Sequence, residues 1–176
     1  MKQKKQKGFS LIELLIVVAI ILIIASMAIP RVLQARITAN EASAVASLRA
    51  INLAEISYQT SYPAKGFADN LSSLGNGNLG PGTPCVPNQT NACLLDSTLS
   101  KGAKAGYQFE AAGGNPVSGT NMTYGAGAAP LTYNRSGVRL FCTTEDQEIR
   151  FDPNLGASTT PPSPTNCTSG TFTPLQ

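Results

Sequence analysis

The chain has 176 residues, with 13 Lys and Arg, 10 Asp and Glu and no His, for a net charge of +3. The absence of His excludes a Ser-His-Asp triad, a Cys-His pair and any His-ligated metal site. So small a charge gives no reason to expect a nucleic-acid partner, and the length predicts one domain plus an appendage.

The charge is unevenly placed. Lys2, Lys4, Lys5 and Lys7 lie within the first eight residues, which hold no acid; without them nine cations face ten acids. A basic head on a nearly neutral body reads as a targeting element. Phe9 to Pro30 follows as FSLIELLIVVAIILIIASMAIP, and Leu14 to Pro30 carries no charge. With Phe9 to Ile12 added, the run is long enough to cross a ~30 Å hydrocarbon core as a helix. Its basic flank is expected on the cytoplasmic side. Glu13 is out of place in such a run, because an acid at mid-membrane costs about 2.5–3.5 kcal/mol. A plain anchor has no use for it, so Glu13 reads as functional. An ordinary secretory signal with small residues Ser26 and Ala28 before its cleavage point is the rival reading. The length of the apolar run and the acid inside it argue against that.

A short basic leader, then Gly8-Phe9-Ser10-Leu11-Ile12-Glu13-Leu14, then an apolar run, resembles the type III signal of type IV pilins and type II secretion pseudopilins. The resemblance covers residues 1 to about 30. It implies cleavage after Gly8 by a membrane-embedded prepilin peptidase and methylation of the new amine on Phe9. Gly8 lets the backbone extend into a protease cleft. The cationic amine on Phe9 has the Glu13 carboxylate as its natural partner, at i and i+4 within one helix. In the family the carboxylate meets the amine of a neighbouring subunit, and a charge pair in an apolar medium favours one axial register.

Beyond Pro30, Arg31 to Gln59 contains no Gly or Pro and is rich in helix formers. Ile37, Ala44, Leu48, Ile51, Ala54 and Tyr58 repeat at steps of three, four or seven, an amphipathic stripe. One helix is expected from about Phe9 to Gln59, kinked at Pro30 and roughly 75 Å long. It corresponds to the N-terminal spine of the pilin family, facing lipid or other subunits first and a globular head second. Many pilins carry a Gly midway along the apolar half; Leu11 to Ile29 has none, so local melting would rest on Pro30. Arg31, Arg36, Glu41, Arg49 and Glu55 lie off the apolar stripe or at its edge, as salt links between spines or as a solvated face.

Asn70 to Asn91 reads as loop-like, and Tyr62 to Leu74 as a turn followed by a short helix, capped by Asp69 and ended by Gly75. Leu94 to Leu99 suggests another helical turn. Gly106 to Glu110, Val138 to Cys142 and Glu148 to Asp152 alternate as strands, with weaker signals at Asn121–Tyr124 and Leu131–Tyr133. Arg135-Ser136-Gly137 and Thr144 to Gln147 read as hairpin connections. An antiparallel sheet of three or four strands results, with one face on the spine. Ala157 to Gln176 is rich in Ser, Thr and Pro and shows no periodicity.

Four cysteines lie beyond the apolar run, as suits an oxidising periplasm. They allow three pairings. Cys85–Cys93 closes a short loop, and Cys142–Cys167 ties the last strands to the tail; the second resembles the C-terminal disulfide loop of type IV pilins. No CxxC spacing supports a metal site. Glu145, Asp146, Glu148 and Asp152 lack EF-hand spacing and read as a charged turn rather than a Ca²⁺ site.

The expectation is an α+β, pilin-like chain: leader 1–8, transmembrane and assembly helix 9–30, spine continuation 31–60, and a disulfide-stapled head 61–176. It implies a non-enzymatic filament subunit without cofactor, catalytic residues or metal. Its expected partners are copies of itself, the prepilin peptidase, the inner membrane, and an assembly platform with its ATPase. A type II secretion pseudopilin is the alternative, and a membrane-anchored periplasmic enzyme or binding protein the remote one. The protein is expected in the inner membrane before assembly, leader cytoplasmic and head periplasmic, and in a surface filament afterwards.

Overall fold

The structure is a computed structural model describing residues 9–76, 83–154 and 156–175. The basic leader with Gly8 and part of the expected loop, residues 77–82, lie outside the described residues. The chain divides into two compact units after Arg36.

Helix α1 (Leu11–Ser61) runs through the division. It begins and ends two residues later than its periodicity suggests, and Pro30 lies inside it without ending it. In the first unit every described residue is exposed except the half-buried Ala25. A helix that is apolar all round and covered by nothing suits lipid or other copies of itself.

The second unit contains the rest of α1, α2 (Leu71–Leu74), a 3₁₀ turn (Leu99–Lys101) and six strands. These are β1 (Ala103–Lys104), β2 (Tyr107–Val117), β3 (Thr120–Pro130), β4 (Leu140–Thr144), β5 (Arg150–Asp152) and β6 (Thr173–Pro174), with α3 (Pro164–Cys167) before β6. They form one antiparallel sheet in sequence order. Ala44, Leu48, Ile51, Ala54 and Tyr58 of the sequence stripe are buried there, against Tyr107, Phe109, Ala111, Ala126, Ala128 and Phe141 of the sheet. Ile37, at the start of the stripe, is only half-buried.

The hairpin β2–β3, with two strands of 11 residues, departs most from expectation, which had only the first residues of each strand. Ala111-Ala112-Gly113-Gly114 and Gly125-Ala126-Gly127-Ala128 are poor in β-formers. Packing on both faces selects them. Ala126 and Ala128 lie in the core, while a Cβ on Gly125 or Gly127 would collide with Pro164 or Pro162 of the tail. The tail is thus a strap across the back of the sheet, held by Cys142–Cys167. It is not featureless: it contributes α3 and edge strand β6. At the hairpin tip Ser118 (φ 52°) and Gly119 (φ 84°) both take the positive φ that a two-residue type I′ turn requires.

Smaller corrections have local causes. The cap of α2 is Asn70, whose side chain accepts from the Ser73 amide; Asp69 is bound to Asn121 at 2.9 Å and to Lys65 at 3.5 Å instead. The turn expected at Leu94 to Leu99 starts later, because Asp96 accepts from the Thr98 and Leu99 amides and opens an Asx turn. Leu131–Tyr133 is not a strand but a loop closed by Ser136 on Thr132. Strand β4 begins at Leu140 rather than Val138, whose amide goes to Glu41.

The structure pairs Cys85 with Cys93 and Cys142 with Cys167. The second closes the longer loop, 25 residues against 8. Replacing Cys142 and Cys167 by Ser is therefore expected to cost roughly 3–4 kcal/mol, against roughly 2–3 for the other pair. Urea midpoints of the two double variants would show the order; the reverse order would contradict it.

Candidate functional site

The residues singled out for processing lie where α1 begins. Phe9 and Ser10 precede the helix, Phe9 is 83% exposed, and the Leu14 amide donates to the Ser10 carbonyl at 3.3 Å. Glu13 is the acid in the first turn, where it complements the positive end of the helix dipole. Phe9 and Glu13 are exposed, as are the apolar residues from Leu11 to Leu33 apart from half-buried Ala25. This helix is long and apolar enough to cross a membrane.

Residues 3–29 match the family described as the prokaryotic N-terminal methylation motif. The chain carries a prepilin-type signal. No curated protein and no solved structure matches it. The prepilin-type signal and the helix it opens support membrane anchoring, and such a signal implies processing by a prepilin peptidase. The disulfides and the sheet belong to the second unit, away from the signal in sequence.

Two acids of α1 have roles different from those expected. Glu41 and Glu55 are neither solvated nor free for a neighbouring spine: they are 6% and 0% exposed. One Glu41 oxygen accepts from the Val138 and Arg139 amides at 3.1 Å each, and the other takes the Arg139 guanidinium at 2.7–2.8 Å. Arg139 in turn lies over the rings of Phe141 and Phe151 at 5.3 and 5.4 Å. Between the two acids, Asn52 donates to Thr143 and accepts from the Tyr124 hydroxyl, each at 3.0 Å. These groups clamp the later part of α1 to the sheet. The signal was present in the spacing: Glu41 is three residues before Ala44, and Glu55 four after Ile51, so both fall on the stripe itself.

Glu55 accepts from the Ala68 amide at 3.0 Å, and among the described residues its other oxygen has no partner. Burial pushes its pKa up from 4.5 to about 7, against the opposing pull of the Ala68 bond. A folded-state pKa above the unfolded one gives stability that is complete below pH 4.5 and lost as pH rises through about 7. Glu55→Gln keeps an acceptor for Ala68 and cannot ionise. Its melting temperature is expected to exceed the wild type at pH 8 and to match it near pH 4. A difference independent of pH would contradict the assignment.

The acidic turn holds an internal cation. Arg150 bonds both Asp146 and Glu148 at 2.6 Å. Burial raises the Asp146 carboxyl, but the bonds from Arg150, the Glu148 amide and Thr144 outweigh it and hold it below its ordinary value. Among the described residues no group of three or more potential ligands is placed to hold a metal ion.

Proposed function

We propose that the chain is a structural subunit of a helical surface filament, a type IV pilin. It is cut after Gly8, methylated on Phe9, and polymerised through α1. The observation that carries this reading is a prepilin-type signal opening a helix whose apolar first part, up to Arg36, is exposed, in a chain whose second unit has its own hydrophobic core. An apolar helix of this kind is stable only in lipid or against its copies. Residues 1–8 act as the removable leader, 9–30 as the spanning and assembly segment, 31–60 as the spine continuation, and 61–176 as the head. The processed subunit waits in the inner membrane, its head periplasmic, and an assembly platform with its ATPase moves it into the filament. The role is structural rather than enzymatic. The C-terminal staple Cys142–Cys167 favours a pilin over a type II secretion pseudopilin.

The test is electron microscopy of the producing cell with the gene deleted and then restored. Loss and recovery of surface filaments that bind an antibody to the head supports the pilin reading. Unchanged filaments together with a secretion defect would transfer the chain to the pseudopilin class.

A further inference from the structure

Between Glu13 and Glu41 the only charged side chains are Arg31 and Arg36. Both are exposed, and among the described residues neither makes an ion pair. The next acid along the helix, Glu41, is buried and already holds Arg139 and two amides. So these two cations of the apolar half of α1 are in no ion pair among the described residues. Their depth is fixed by the helix. Arg31 is 18 residues beyond Glu13 on α1, about 27 Å at 1.5 Å per residue, close to the ~30 Å thickness of a hydrocarbon core. With Glu13 near one interface, Arg31 falls at the other. Arg36, a turn and a half further, has a stem long enough to reach back to the same level.

We propose that Arg31 and Arg36 bind the phosphodiester headgroups of anionic lipids in the leaflet opposite the leader; this rests on the membrane-spanning reading of α1. The guanidinium fork matches two phosphate oxygens, and each cation near an anionic surface favours binding about fivefold. The contact sets the depth of the unassembled subunit. It acts on the side that keeps its charge when Lys2, Lys4, Lys5 and Lys7 are removed with the leader, so it outlasts processing.

The test uses the full chain in bilayers of equal parts phosphatidylglycerol and phosphatidylcholine. Mass spectrometry reads the lipids retained after mild detergent release. The lysines are common to every variant, so the comparison isolates the arginines. The wild type is expected to retain phosphatidylglycerol above its bulk share. R31Q/R36Q is expected to lose at least about fivefold of that preference, with each single variant in between and the melting temperature of the head unchanged. No preference in the wild type, or an equal one in the double variant, would overturn the proposal. So would a copy-to-copy crosslink in pure phosphatidylcholine that R31Q/R36Q abolishes, which would give the arginines to an acid of a second copy. Failure of the chain to float with phosphatidylcholine vesicles would instead sink the spanning reading.

Discussion

Glu13→Gln is expected to leave the protein inserted and cleaved but to reduce filaments to few or none. Insertion does not need the carboxylate, since a neutral side chain suits the bilayer better than an acid does. Polymerisation does need it under the proposed charge pair. Each incoming subunit brings the cationic amine of Phe9 into an apolar core, and without Glu13 that amine has no counter-charge. Removing one partner of a buried pair costs about 3–5 kcal/mol because the other is left uncompensated. Each added subunit meets that cost. Glu13→Ala tests packing and charge together; Glu13→Gln keeps the shape and removes the charge alone. Processed subunit accumulating in the membrane fraction, seen by blotting beside electron microscopy, is the expected result for both. Wild-type filament numbers in both variants would end the charge-pair role.

Glu41→Ala is expected to destabilise the head by roughly 2–4 kcal/mol. The carboxylate receives the Val138 and Arg139 amides and the Arg139 guanidinium, and it is only 6% exposed. Its loss leaves two amides without their acceptor and a guanidinium without its charge partner. The Arg139 side chain is 37% exposed, so water relieves part of the charge, which keeps the figure below that of a fully buried pair. Glu41→Gln retains acceptors for the amides and should lose less. Urea unfolding of the head separates the two variants. A loss below about 1 kcal/mol for Glu41→Ala would show that the clamp is incidental.

The parts of this structure legible in the sequence are those in which one physical effect dominates. The apolar run beside the lysines leaves lipid as the natural surroundings for Leu14 to Pro30. The stripe from Ala44 to Tyr58 is a helical period with one dry side. The β2–β3 hairpin was legible only in the first residues of each strand, because Gly125 and Gly127 follow from prolines about 35 to 40 residues away in the strap, and local propensity carries no trace of that. Glu41 and Glu55 were misjudged by charge. Their positions fit the buried stripe, but an acid is placed inside only when a distant partner such as Arg139 or the Ala68 amide is known. At the N-terminus the reverse holds: the motif points to the chemistry of Gly8 and Phe9, and Gly8 lies outside the described residues.

The intact mass of the protein purified from the membrane of its own cell tests the central claim most directly. The mature chain is expected to begin at Phe9, with one methyl group on its amine and both disulfides closed. A chain that retains Met1, or one that begins after Ala28, would contradict it.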